Sequence, residues 1–471
     1  MMTSVKPYAE KCRLPFILYP PAMWENPEGH GFVEKLALGD SSGDYVVYIS
    51  IPFCRVRCKA CPYFVATLSP EDPKGEENRY LNALIRDIEK WGSYPRWNKA
   101  RCRAVYIGGG TGSILTTRNL ERLVDAIKKA FPLAEGYGFT LEGNARDFDE
   151  SKLDYVASSA INRVSLGVQS FQPEVLKIVG SPHAAEESAR VIKALHSRGL
   201  KDVSLDLMYN MPKHTLTEWK SDLERVNDLG VSHFTIYLYR IHEGTAQDLL
   251  IKQGKMPPIR DPESPEVLEM RRQAAQFAER LGYSEYMFDN FSKSGFESQY
   301  MLWSWREADK DALAVGPGAY SYINGYRVGT DKDVDAYVAA TEKGQHHLSS
   351  ISVKMDDRGR RERYIIFSFE FFHIDYAHYE KTFGTAFLAD WEEKAKKLEK
   401  KGLVELHSDR MQLTELGREW RANILLEFVN PAYWNDRAAL KQRNWSMNTP
   451  MVQIVSHDRE KWLGDGEVAA Q

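Results

Sequence analysis

The chain has 471 residues, 43% of them hydrophobic and 27% charged, and a formal net charge of −4. That length supports one large α/β unit with smaller additions, and the near-balanced charge gives no reason to expect a nucleic acid or a membrane surface as partner. No run approaches the roughly 18 apolar residues of a membrane span. Residues 1–13 lack the apolar centre of a secretory signal, and the isolated Cys12 and Cys102 do not make a disulfide framework, so a reducing, cytoplasmic setting is expected.

Residues 1–44 read as an irregular leader around Tyr19-Pro20-Pro21-Ala22-Met23-Trp24, either packed across the main body or walling a site. From residue 45 the pattern alternates. Residues 44–51 are β-branched and aromatic, a first strand. Residues 78–91 place Leu81, Leu84, Ile85, Ile88 and Trp91 on one helical face. A short buried-type strand at 104–107 ends in Gly108-Gly109-Gly110-Thr111, and Leu120, Leu123, Val124, Ile127 and Phe131 stripe the next helix. Strands follow at 138–142, 163–168, 203–208 and 233–238, with helical patterns at 184–198 and 216–229 between them. Six strands, most followed by a helix, imply a parallel sheet covered by helices. Beyond these come a helix at 264–280, a strand at 282–289 and a glycine turn, Gly316-Pro317-Gly318, within 312–324. After about residue 360 a charged helix at 389–401, a hairpin at 403–407 and 410–414, and a helix at 415–428 suggest a winged-helix-like module. The basic run 394–401 reads as a solvated helix face rather than a nucleic-acid patch. The last 40 residues, with Trp434, Trp445 and Trp462, have no assignment.

The chemistry concentrates in Tyr48-Ile49-Ser50-Ile51-Pro52-Phe53-Cys54-Arg55-Val56-Arg57-Cys58-Lys59-Ala60-Cys61, where three cysteines are spaced C-x3-C-x2-C. Thiolates are soft ligands for zinc, copper(I) or iron–sulfur clusters. Structural zinc closes with four ligands, and no further C-x2-C or H-x3-H pair supplies the fourth. Iron–sulfur cubanes also use cysteines, usually four, so three would leave one iron open to a small molecule. Three free thiols so close together would be prone to oxidation.

Four other features stand at expected strand ends. The glycines of 108–110 permit close approach of a ligand to backbone. Glu142, Gln169 and Asp206 end the next three strands, although a lone glutamate in such a place would ordinarily be a surface residue. His183 reads either as a proton donor or as a satisfied loop histidine.

At the cysteine loop the chain resembles the radical S-adenosylmethionine (SAM) superfamily. The preceding Tyr48-Ile49-Ser50-Ile51-Pro52-Phe53 is similar to the signature of its HemN-like family, which includes oxygen-independent coproporphyrinogen III dehydrogenases, haem chaperones, haem-opening enzymes, and class C methyltransferases and cyclopropanases. The resemblance implies an α/β fold: a partial (β/α)6 TIM-type barrel over 45–345 including its extension, a HemN-type C-terminal domain over 346–430, a leader or lid over 1–44 and an unassigned tail over 431–471. It implies a [4Fe-4S] cluster on Cys54, Cys58 and Cys61, and a first SAM contacted by Tyr48, Gly109, Gly110, Thr111 and Glu142. It further implies a second SAM at Gln169 and Asp206, and Ile323 beside the first adenine. Departures from the family pattern are Ser50 for histidine, Ala60 for an aromatic residue, Gly112 for a proline that would stiffen its loop, Tyr63 for a fourth cysteine and Ser181 for an arginine. The missing fourth cysteine and the altered Ala60 region, with Gln169 and Asp206 retained, favour methyl or methylene transfer to an sp2 carbon of an aromatic or conjugated substrate, whereas Ser181 removes the usual contact to the second SAM's carboxylate. Oxidative decarboxylation of coproporphyrinogen III is the alternative reaction, and haem chaperoning or processing the alternative class. The expected partners are an aromatic, conjugated or tetrapyrrole small molecule and a reductant such as flavodoxin or ferredoxin.

Overall fold

A computed structural model describes residues 6–430 apart from 13–18, 21–23, 26–29, 40–42, 60, 62, 64, 182 and 243, together with Leu463. Ala60, Pro62, Phe64 and the tail tryptophans therefore lie outside the described residues.

Six parallel strands form the centre: β1 (Tyr45–Ile51), β2 (Cys102–Gly109), β3 (Leu133–Gly143), β4 (Arg163–Gln169), β5 (Asp202–Tyr209) and β6 (His233–Leu238). Helices α1 (Glu76–Gly92), α2 (Pro173–Val179) and α3 (Leu216–Leu229) are among those that cross between them, and α4 (Ala246–Lys252) follows β6. α1 is helical because its apolar residues repeat along one face; it buries Tyr80, Leu81, Leu84, Ile88 and Trp91 against the sheet. α3 starts with a capping box, in which the Thr215 hydroxyl accepts from the Glu218 N–H and Glu218 accepts from the Thr215 N–H. It stops at Gly230, whose φ of 64° is left-handed. The central strands are apolar on the helix side and polar on the lumen side, so the main core lies between sheet and helices.

The sheet continues past the expected six strands to thirteen. On one side the strand expected at 282–289 is β7 (Ser284–Met287), and the chain turns at Asp289, φ 61°, into a further antiparallel strand, β8 (Asn290–Ser292). On the other, β9 (Ala312–Val315) pairs in parallel with β1, and β10 (Tyr320–Ile323), β11 (Tyr326–Thr330) and β12 (Leu348–Ile351) follow as an antiparallel series.

A second core gathers the C-terminal elements: helix α5 (Asp357–Ser368), helix α6 (Phe387–Lys400) and a three-stranded sheet of His373–Asp375, Arg410–Leu413 and Val404–Leu406. The expected final helix is broken at Trp420 into Glu415–Glu419 and Arg421–Glu427. The leader belongs to this core. Tyr8, Cys12 and Tyr19 are buried in it, Arg363 donates to the Tyr19 carbonyl at 2.6 Å and Arg327 to the Pro20 carbonyl at 3.0 Å. The Tyr19–Pro20 end is thus a packed strap. Lys394 and Lys401 of the basic run lie over the Trp391 and Tyr8 rings, so the run is only partly a solvated face.

Candidate active site

The cysteine loop leaves the C-terminal end of β1. Its first cysteine lies on a two-residue strand, Phe53–Cys54, that pairs in parallel with Ala66–Thr67 and closes the loop on itself. The Cys61 N–H donates to the Cys58 carbonyl at 3.1 Å, folding the last two cysteines into one turn. All three are free thiols, with Cys58 exposed and the others half-buried. Burial raises all three, Cys54 to about 11, and neighbouring cysteines add to the rise for Cys54 and Cys58. Among the described residues no three ligand side chains converge on a point that one metal ion could occupy. Thiols close enough to feel each other's charge are soft donors suited to a shared metal centre.

Two cations hold the loop, and sequence reasoning did not single them out. Arg55 donates to the Ser69 carbonyl and the Ile114 carbonyl, each at 3.1 Å, and stands 3.6 Å from Asp147. Lys59 donates through Nζ to the Ile178 carbonyl at 3.0 Å and through its N–H to the Val179 carbonyl, while its carbonyl accepts from Gln247. Charged residues between the cysteines were the available signal.

The glycine-rich end of β2 lies directly against this loop. Gly109 has φ +110°, and its Cβ would stand 2.9 Å from the Ile51 carbonyl. The Gly110 N–H donates to that same oxygen at 2.7 Å. The Thr111 hydroxyl is 3.4 Å from the Cys54 sulfur, which joins the two motifs. Gly112 does not loosen the turn. It opens a buried 3-10 turn, Gly112–Ile114, whose Ser113 hydroxyl bonds Asp147 and whose Ser113 carbonyl accepts from Lys152.

Tyr48, Tyr106 and Tyr300 form an aromatic floor, with the Tyr48 and Tyr106 rings stacked at 5.8 Å and Tyr300 5.1 Å from Tyr106. Glu142 accepts from the Tyr106 hydroxyl and the Gly109 N–H, yet burial and the charge of Asp206 push its carboxyl up to about 8. Asp206 is pushed up to about 7 by burial, against the pull of Arg163 and hydrogen bonds from Ser165 and Thr235. Neither carboxyl makes an ion pair among the described residues. Two half-buried carboxyls without a paired cation among the described residues suit a cationic ligand. SAM, a sulfonium with an ammonium group, fits that requirement.

Gln169 ends β4 at an irregularity in the ladder, with φ 68°. Its Oε1 is buried without a partner, and its amide nitrogen folds back over Gly167. The strand end is fixed from outside by fully buried Asp222, which accepts from the Ser170 hydroxyl, the Phe171 N–H and the Gln172 amide. His183 is a satisfied histidine: Nδ1 pairs with the Asn144 amide, Nε2 with the Val168 carbonyl, and burial lowers its pKa. Ser181 bonds to His183 and brings no cation to the lumen.

Two sequence-derived expectations change. Ser50 donates to the Pro317 carbonyl at 2.8 Å and locks the glycine turn beside β1, so it acts as a strut. Ile323 does not join the constellation. β10 runs antiparallel to β9, which carries Ile323 to the opposite end of the sheet, fully buried and paired with Tyr326.

The model of the Radical SAM superfamily matches residues 48–226, and that of the HemN C-terminal domain matches residues 359–420. The chain is 28% identical over 388 residues to the heme chaperone HemW of Lactococcus lactis subsp. lactis, covering 81% of this chain and 96% of that one. It is 27% identical over 390 residues to an anaerobilin synthase of Escherichia coli O157:H7, covering 81% and 82%. Among solved structures, coproporphyrinogen III oxidase (HemN) from Escherichia coli superposes with a TM-score of 0.74 at 22% identity, over 89% of this chain and 97% of that one.

Proposed function

From the chain's membership of the HemN-like branch of the radical SAM superfamily, we propose an enzyme that binds SAM at the cysteine loop and directs radical chemistry at a conjugated, tetrapyrrole-class substrate. With a [4Fe-4S] cluster and SAM bound, such a centre supplies reductive cleavage of SAM to a 5′-deoxyadenosyl radical. Cys54, Cys58 and Cys61 would hold the cluster, and Tyr48 would line the SAM site beside it. Glu142 would receive the SAM ammonium group, exchanging the proton it keeps in the ligand-free lumen for a charge-assisted hydrogen bond. The backbone at Gly109 and Gly110 and the Thr111 hydroxyl would position the same end of the ligand. The observation that carries the reading is the half-buried Glu142–Asp206 pair beside the thiols, two carboxyls close enough for Asp206 to raise Glu142 and without an ion pair among the described residues. The tetrapyrrole class comes from the relatives, one named for chaperoning heme and one for synthesising anaerobilin.

Methyl or methylene transfer is a second reading, supported by the unpartnered Gln169 oxygen near the Asp206 strand. A second SAM there would place a methyl donor within the lumen, but Ser181 supplies no counter-charge for its carboxylate. The relatives above do not carry methyltransferase names, so this reading rests on Gln169 and Asp206 alone.

Anaerobically reconstituted protein, given methyl-labelled SAM and a tetrapyrrole, separates the cases. Tetrapyrrole-dependent 5′-deoxyadenosine with altered, unlabelled tetrapyrrole supports the lead reading. Label in the product with S-adenosylhomocysteine supports methyl transfer, and Asp206→Ala should then suppress product more than 5′-deoxyadenosine. Stoichiometric haem binding without 5′-deoxyadenosine would indicate a chaperone and refute the enzyme.

A further inference from the structure

Alternation divides β6 into two faces. Phe234 and Ile236 pack into the core between sheet and helices, which leaves His233, Thr235 and Tyr237 on the lumen face. The first two are satisfied there. His233 pairs with the Ser204 hydroxyl at 2.8 Å and the Tyr286 hydroxyl at 3.0 Å, and Thr235 donates to Asn290 at 3.1 Å. Thr235 stands opposite Asp206, and Tyr237 is the next residue of that face toward the C-terminal end of the strands. Tyr237 is 47% exposed, and Tyr63, two residues beyond Cys61, is 57% exposed.

These two tyrosines come from opposite ends of the six-strand array. Tyr63 follows β1, Tyr237 lies on β6, and the array is open, since four strands separate β1 from β6 and the two are not bonded to each other. Even so, Tyr63 stands close enough to both Tyr48 and Tyr237 for its charge to be felt at each, and Tyr237 close enough to feel Glu142 and Asp206. The pair therefore spans the open side of the array beside the carboxyls. Tyr48, Tyr106 and Tyr300 pack ring against ring. Neither Tyr63 nor Tyr237 meets another ring, or bonds through its hydroxyl, among the described residues. A half-exposed aromatic ring leaves apolar area in water that folding would otherwise bury. Two such rings at one opening offer free faces that a flat conjugated ligand can cover by offset or edge-to-face contact.

We infer that Tyr63 and Tyr237 are specificity-determining residues, whose rings hold the flat conjugated face of the substrate across the open side of the array. The inference rests on the tetrapyrrole-class reading above and names the side chains that would recognise that class. Glu142 and Asp206 are left to the cationic cofactor. Stacking needs no metal in the macrocycle, so a metal-free porphyrin serves as probe.

The test titrates the anaerobically reconstituted full chain with protoporphyrin IX, reading bound porphyrin by fluorescence anisotropy, and measures SAM affinity separately. Tyr63→Ala and Tyr237→Ala should each weaken porphyrin binding about three- to tenfold, and Y63A/Y237A by more than either. Y63F/Y237F keeps both rings and should bind within about twofold of wild type. SAM affinity should stay unchanged throughout, as should the thermal midpoint, since neither ring packs against another. Should the double alanine variant fail to fold, Y63L/Y237L keeps apolar bulk without a ring and should still bind more weakly than Y63F/Y237F. A loss in Y63F/Y237F equal to that in Y63A/Y237A would assign the contact to the hydroxyls and overturn the inference. Weakened SAM binding with unchanged porphyrin binding would assign the rings to the adenine and overturn it too. Wild-type porphyrin binding that no variant weakens overturns the inference alone, whereas absence of porphyrin binding by wild type would sink the tetrapyrrole reading and the inference with it.

Discussion

Replacing Glu142 by glutamine should make the ligand-free protein more stable at alkaline pH and leave it nearly unchanged at acid pH. The carboxyl stands at about 8 in the folded chain against an ordinary 4.5. Below pH 4.5 both folded and unfolded states hold the proton. Between 4.5 and 8 the unfolded chain releases it first, so folding takes up a proton and stability falls as pH rises; above 8 the full penalty is present. At about 1.36 kcal/mol per pH unit the gap corresponds to roughly 5 kcal/mol, an upper bound that relaxation and water around the charge reduce to about 1–3 kcal/mol. Thermal unfolding of Glu142→Gln and wild type at pH 5 and pH 8.5 should give near-equal midpoints at pH 5 and a higher midpoint for the variant at pH 8.5. Adding SAM at pH 8.5 should stabilise wild type and not the variant, because only the carboxylate can pair with the ammonium group. An identical difference between the proteins at both pH values would refute a titrating, cation-seeking Glu142.

Cys58→Ala should abolish SAM cleavage and lower iron content, as measured by metal analysis and 5′-deoxyadenosine assay; normal cleavage would remove the cluster assignment. Arg55→Ala should leave the fold intact by circular dichroism but free the loop from Ser69 and Ile114, so that reconstituted iron is lost faster to a chelator. Asp222→Ala strands two buried donors, Ser170 and Phe171, and the half-buried Gln172 amide, a loss of about 3–5 kcal/mol, and should lower the thermal midpoint while also weakening binding at Gln169.

The parts of the site legible in sequence were those set by short covalent spacing. The C-x3-C-x2-C run, the glycines at 108–110 and the strand-end positions of Glu142, Gln169 and Asp206 needed only the strand periodicity around them. Arg55 and Lys59 were visible as residues but not as clamps, since their acceptors Ile114 and Ile178 lie 59 and 119 positions away. Ile323 was misplaced because a hairpin reversal between β9 and β10 sends sequence neighbours to opposite ends of a sheet. β8 went unread because the turn into it uses Asp289 in the left-handed region, where a non-glycine residue gives little signal. His183 had two readings until its hydrogen-bond partners were known.

The strap formed by the leader has a consequence for synthesis. Tyr19 bonds Arg363, 344 positions later, and the Cys12 N–H bonds Asn423, 411 positions later. At about 5–20 residues per second the ribosome takes roughly 17–70 s to deliver Arg363 after Tyr19. Throughout that interval the barrel strands are being made while the leader's apolar residues still lack their core. The nascent chain therefore carries an unsheltered aromatic segment for most of its synthesis, and chaperone capture at its N-terminal end should be longest in this protein when translation is slowed beyond residue 350.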